Sequence, residues 1–323
     1  MMRRRPARYF CSLICACIAL SACDTAPSRD EARATASSAE DGKETSAGAL
    51  AAKADAAKKD KPVKLVTLGG AVTEIVVALG HEKELVGVDA SSIYPASLEA
   101  LPKVGYYRKI NAEGVLSLGP TRILATEGVG PQAAVDQLEA SGLELVMIPE
   151  AKTPEGALER VETVGKLIGE EERAAKLLAD MKASLERAKA RREAAPETEQ
   201  CALFIYARGA NVLMVSGTKS SADAMLSLAG FPNCITSFEG FKPLTAEAVV
   251  AAKPTHIILP DKGAASIGGV EGVLGLPGVA QTPAGEQKRV VLIDDLALLG
   301  FGPRMGEALE ALQDGLNIPK VAQ

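Results

Sequence analysis

Few residues in this chain are of types able to do chemistry, and their spacing excludes more than it allows. Only two histidines occur, His81 and His256. Neither a His-rich zinc site nor a two-histidine zinc helix can be assembled from them, which all but excludes zinc hydrolase chemistry. The acid run Glu170-Glu171-Glu172 before Arg173 reads as the solvated first turn of a helix, where carboxylates complement the macrodipole, and not as a metal site. Gly300-Phe301-Gly302-Pro303-Arg304-Met305-Gly306 has one residue too many for a dinucleotide fingerprint. It also sits at the last helix and not in a first βαβ unit, so it reads as a turn. Gly69-Gly70, between an apolar run and a helical period, lets the backbone bend sharply and approach a ligand at a helix N-terminus. No nucleophile elbow, metal cluster or phosphate loop stands out to support an enzyme.

Composition narrows the partners. With 323 residues, 47% of them hydrophobic and 24% charged, the chain is long enough for two lobes and apolar enough to build their cores. Lys+Arg number 36 against 41 Asp+Glu, without the basic excess that phosphate backbones require. The absence of Trp and the 3% aromatic content leave no stacking platform, so nucleic acid is not an expected partner.

The N-terminus addresses the chain. Arg3, Arg4, Arg5 and Arg8 precede an apolar run from Phe10 to Leu20, too short to span ~30 Å of hydrocarbon at ~1.5 Å per residue, and so a secretory signal. It ends in Leu20-Ser21-Ala22-Cys23, which resembles the lipobox of bacterial lipoproteins, where small residues suit the signal peptidase and the cysteine thiol accepts the lipid. The alternative is ordinary cleavage near Ala22 with Cys23 incidental. Asp24 resembles an inner-membrane retention signal. The expected localisation is therefore periplasmic, lipid-anchored to the inner membrane, or an outer-surface lipoprotein. Cys11, Cys15 and Cys17 leave with the signal, and Cys201 and Cys234 remain in an oxidising compartment. Cys201 opens a strand and Cys234 follows the helix that returns the chain to the side where that strand began, so the two thiols are candidates for a disulfide. Two separately buried thiols are the alternative. Residues 24–62, rich in Ala, Lys, Asp, Glu and Ser, cannot bury enough surface to fold and read as a tether.

From Val63 onward, short β-branched or Leu-rich runs alternate with helical periods. Strands are predicted at Lys64–Leu68, Leu85–Val88, Thr121–Ala125 and Leu143–Ile148, then near Ala202–Ala207, Thr255–Leu259 and Arg289–Ile293. Helices are predicted near Ser221–Ala229, Thr245–Ala252 and Pro303–Leu316. The alternation means α/β with mainly parallel sheets. Thr153 to about Arg192 reads as helix with a break at Gly169, a strut between lobes. The resulting division is signal peptide 1–22, lipidated cysteine and tether 23–62, first lobe 63–152, linking helices 153–195 and second lobe 196–323.

The lobes echo one another. Asn111-Ala112-Glu113-Gly114-Val115 with Pro120-Thr121-Arg122-Ile123 matches Thr245-Ala246-Glu247-Ala248-Val249 with Pro254-Thr255-His256-Ile257 without a gap; each copy is an N-cap, a helix and a Pro-Thr entry into a strand. Two like lobes joined by a long helix and secreted on a lipid tether resemble the class III substrate-binding proteins of ABC importers, whose ligand lies between the lobes. Val104-Gly105-Tyr106-Tyr107-Arg108, followed by Asn111-Ala112-Glu113-Gly114, is similar to the haem-binding branch of that family. So are Phe238 to Thr245, with Phe241 where relatives usually carry tyrosine, Gly268 to Gly272, and Leu298 to Arg304.

By position, the resemblance implies that Tyr106 ligates ferric haem iron and that Arg108 flanks it. A phenolate is a hard anionic ligand suited to Fe(III), and a neighbouring cation favours its ionised form. Tyr107 is then packing or a cleft wall. Lys262 stands where relatives often place an arginine, keeping the charge without the planar fork, and Arg208 is a candidate for the propionates. Ligation by tyrosinate alone is expected, with His256 a core residue. Class III proteins dock with one glutamate per lobe, which points to Glu247 and Glu113, on a permease homodimer with its ATPase. The expected function is a monomeric, non-catalytic receptor for ferric haem b. The alternatives are a cobalamin or iron-siderophore binder of the same fold, or a secreted two-lobed α/β enzyme.

Overall fold

The structure, a computed structural model, describes residues 62–196 and 199–320. The signal peptide, Cys23 and the tether up to residue 61 lie outside the described residues.

The central strand runs, such as Leu65–Leu68 and His256–Pro260, are buried on both faces, as strands covered on both sides are. In the first half, β1 (Leu65–Leu68), α1 (Gly70–Ala78) and β2 (Leu85–Val88) are followed by a short hairpin, β3 (Gly105–Tyr106) and β4 (Lys109–Ile110). Then come α2 (Ala112–Ser117), β5 (Arg122–Thr126), α3 (Gln132–Ala140) and β6 (Glu144–Ile148). The four longer strands form a parallel sheet in the order β2-β1-β5-β6. Side chains alternate across it. Leu65 and Leu124 face a core shared with the second half, while Val66, Ile123 and Ala125 pack with Val115 of α2 and Leu138 of α3.

Two helices, α4 (Pro154–Ile168) and α5 (Glu171–Ala194), make the connection. Gly169, at φ 76°, ends the first at the break the sequence predicts. The connection is not a free strut. Val161 and Val164 of α4 and Met181 and Ala188 of α5 are buried in the shared core beside Leu309 and Leu312 of the last helix, so the link is cemented along its length.

In the second half, β7 (Ala202–Ala207), β8 (Leu213–Ser216), α6 (Ser221–Ala229), β9 (Phe241–Pro243), α7 (Ala246–Ala252) and β10 (His256–Pro260) come first. They are followed by α8 (Asp261–Ala265), α9 (Gly269–Leu274), α10 (Pro283–Glu286), β11 (Val290–Ile293), α11 (Asp295–Leu299) and α12 (Met305–Gly315). The sheet order is β11-β10-β7-β8-β9. β11, β10 and β7 run parallel, whereas β8 and β9 add an antiparallel edge that the sequence reading does not contain. The echo is structural: Asn111 caps α2 through the Glu113 N–H (3.0 Å) and Thr245 caps α7 through the Ala248 N–H (3.2 Å). Each helix leads into an interior strand, β5 or β10. A disulfide joins Cys201, at the entry to β7, to Cys234, with Cα atoms 5.1 Å apart.

Candidate functional site

The parallel strands of both sheets end at one cleft of about 650 Å³. β1 runs into Gly69-Gly70, β5 ends at Thr126, β7 leads to Arg208 and β10 ends at Pro260, all of which line it. Ligands of open α/β sheets sit outside the carboxyl ends of the strands, and here two such edges share one space. Its walls carry Ile93, Met214, Phe241, Leu296 and Leu299, an apolar lining with a few polar groups, as small-molecule sites have.

One acid ties the first-lobe wall together. The carboxylate of buried Asp89 accepts hydrogen bonds from the Gly69 N–H (2.9 Å), the Ser91 N–H (2.9 Å) and hydroxyl (2.6 Å), the Ser92 hydroxyl (2.8 Å) and the Tyr107 N–H (3.2 Å). It thereby fixes the glycine turn and the tyrosine loop to each other. Gly69 has φ 118°, and a Cβ there would stand 2.7 Å from Thr126 Cγ2, so only glycine lets the turn pass. Gly105, at φ 99°, likewise brings the hairpin within 2.8 Å of the Lys109 carbonyl, measured from a would-be Cβ.

On that hairpin, Tyr106 is 40% exposed and lines the cleft. Tyr107 packs edge-on against it, ring centroids 4.7 Å apart. Arg108 lies behind rather than in the cleft lining. Its guanidinium sits over the Tyr107 ring at 4.8 Å, and Nη2 donates to Glu150 at 3.3 Å. Burial, and next the neighbouring Tyr106 phenol, push the Tyr107 phenol up to about 12 against the pull of Arg108. Tyr107 therefore keeps its proton at neutral pH, and Tyr106 is the more accessible of the two phenols.

The opposite wall holds Arg208 and Lys262, both exposed and, among the described residues, without a carboxylate partner. Between them in charge is Asp295. Burial raises its carboxyl, as do Asp294 and Asp261, while Arg208 and Lys262 draw it down. Burial likewise raises the phenol of Tyr206, also in this wall, with Asp295 adding to the effect.

The cleft thus brings Tyr106, Tyr107, Arg208 and Lys262 together. Glu113 and Glu247 stand outside its lining, both exposed, in the first turns of α2 and α7. The Cys201–Cys234 bridge lies at the opening end of β7, away from the cleft. The sequence reading missed Asp89 and Arg160. An acid directly after the apolar run Leu85–Val88 was a signal for the first. Arg160, between Glu159 and Val161 on a charged helix, gave none.

With this geometry in place, residues 65–297 match the periplasmic binding protein family, and the chain belongs to it. The periplasmic heme-binding protein RhuT from Roseiflexus sp. RS-1, in apo form, is similar at 37% identity and a TM-score of 0.74, covering 79% of this chain and 99% of that one. The periplasmic heme-binding protein HutB of Vibrio cholerae is 33% identical with a TM-score of 0.69, covering 80% and 100%. An uncharacterized ABC transporter substrate-binding lipoprotein of Bacillus subtilis (strain 168), YvrC, is 27% identical over 264 residues, 81% of this chain and 82% of that one. The two-lobed α/β arrangement is that of class III binding proteins, and no helix among the described residues is long and apolar enough to cross a membrane.

Proposed function

We propose that this chain is an extracytoplasmic receptor that captures ferric haem b in the interlobe cleft through the Tyr106 phenolate and passes it, chemically unchanged, to an ABC permease homodimer driven by its ATPase. The observation that carries the reading is the tyrosine pair: an exposed phenol at the cleft, backed by a second phenol whose burial keeps it protonated. An anionic oxygen is a fitting ligand for Fe(III), and the apolar walls suit a porphyrin face. Relatives named as heme-binding over nearly their whole length support the same cargo. Arg108 acts from behind Tyr107, and Lys262 and Arg208 offer cations to the ligand's charged groups from the second lobe.

In this reading the receptor works as a monomer in the periplasm, lobes 63–152 and 196–323 facing each other, tethered to the inner membrane by lipid on Cys23. Glu113 and Glu247 meet the permease. The test is a titration of the apo protein with hemin, cyanocobalamin and a ferric hydroxamate. Saturable growth of a Soret band with hemin alone supports haem; binding of either of the others in its place overturns it.

A further inference from the structure

Arg160 of α4 is 3% exposed yet has no carboxylate partner among the described residues. Its Nε donates to the Pro149 carbonyl and its Nη1 to the Gly300 carbonyl, each at 3.1 Å, so it links the end of the first sheet to a loop of the second lobe. Two neutral carbonyls do not compensate a buried charge, and an isolated cation taken out of water is costly. Glu150, whose charge opposes the effect of burial on Arg160, makes no ion pair with it and is engaged by Arg108 at 3.3 Å and Lys152 at 3.6 Å. Burial lowers the guanidinium to about 10, which leaves it charged at neutral pH. Arg160 nonetheless lines the cleft, and Nη2 has no protein partner among the described residues.

We infer that Arg160 is an anion anchor in the floor of the cleft, its Nη2 edge receiving a carboxylate of the bound ligand, in the case of haem a propionate. The inference rests on the haem reading and adds to it an inner charge, distinct from Arg208 and Lys262 on the second-lobe wall. A dicarboxylate ligand thereby supplies the counter-ion that the fold withholds, and because Arg160 already holds both lobes, the ligand's charge is read where they meet.

The test compares hemin with its dimethyl ester in the full-length protein and in Arg160→Gln, Arg160→Lys, Arg208→Gln and Lys262→Gln. Charge-assisted hydrogen bonds are the strong ones, so the wild-type protein should bind hemin about 10- to 100-fold more tightly than the ester. In Arg160→Gln that ratio should fall about tenfold, with affinity for the ester held and the iron spectrum unchanged; Arg160→Lys, which keeps the charge, should retain a larger ratio than Arg160→Gln. Equal wild-type affinity for the two ligands overturns the anchor. So does an equal loss for both ligands in Arg160→Gln, which marks a merely structural arginine, or a collapse of the ratio only in Arg208→Gln or Lys262→Gln. Absence of any hemin binding by the wild-type protein refutes the haem reading instead.

Discussion

The guanidinium of Arg304 grips the carboxylate of Glu74 with two hydrogen bonds, Nε to Oε1 at 2.9 Å and Nη2 to Oε2 at 3.3 Å, across 230 residues of sequence. Glu74 is 3% exposed on α1 of the first lobe, and Arg304 precedes α12 of the second. Arg304 also donates to Asp294 at 3.0 Å and stacks on the Tyr94 ring at 3.6 Å. The pair is a bolt between lobes set beside the same α1 whose first turn lines the cleft. Arg304→Met strands a buried carboxylate and should cost about 3 kcal/mol of stability. Glu74→Gln keeps an acceptor while removing the charge, and should cost only about 1 kcal/mol. Denaturant unfolding of both variants checks the ordering; equal losses would contradict it.

His256 on β10 makes stability sensitive to acid. It is 2% exposed, Phe231 lies edge-on at 5.2 Å, Nε2 has no partner among the described residues, and burial with the nearby Arg289 lowers its imidazole from 6.5 to about 4. The unfolded chain therefore takes up this proton at a higher pH than the folded one. The contribution is whole above pH 6.5 and is lost as pH falls toward 4, the loss reaching about 2.5 kcal/mol at pH 4.5. Comparing wild-type unfolding free energies at pH 7 and 4.5 with those of His256→Leu should show a flatter dependence in the variant. Parallel curves would contradict the assignment.

The Cys201–Cys234 bridge closes a separation of 33 residues. Chain-entropy arguments for a loop of that size give a stabilisation of about 3 to 4 kcal/mol. Unfolding with and without reductant should differ by that amount, and thiol titration of the unreduced, denatured mature protein should find neither cysteine free. Two free thiols would contradict the bridge.

The proposed docking role of Glu113 and Glu247 is separable from ligand binding. Glu113 and Glu247 are exposed in the first turns of the echoed helices and lie outside the cleft lining. Reversing both charges, Glu113→Lys with Glu247→Lys, should leave hemin affinity within about twofold while abolishing transport through the permease, since complementary charge governs such encounters. Normal transport by the double variant would remove both residues from the interface.

Much of the frame was legible because it is written in local patterns. Runs such as Leu65 to Leu68 and Ile257 to Leu259 are apolar on both faces, Gly169 breaks a helical period, and Asn111 and Thr245 are N-cap residues at matched offsets. The antiparallel edge was not legible. β8 has four residues and β9 three, the latter ending in Pro243, and they are strands only because β7 pairs with β8 and β8 in turn with β9. Within the site, Tyr106 could be singled out from its flanking residues. Asp89 was marked only by its place directly after a strand run, and Arg160 not at all, because an arginine on a charged helix reads as solvated until the chain buries it.

Binding of ferric haem through the Tyr106 phenolate is what the proposed function turns on. The most direct measurement is the absorption spectrum of the hemin complex in the wild-type protein and in Tyr106→Phe and Tyr107→Phe, with each affinity determined by titration. If Tyr106 ligates the iron, the wild type shows a tyrosinate-to-iron charge-transfer band. That band should persist in Tyr107→Phe and vanish in Tyr106→Phe together with a large loss of affinity. An unchanged band and affinity in Tyr106→Phe, or loss of the band only in Tyr107→Phe, would contradict it.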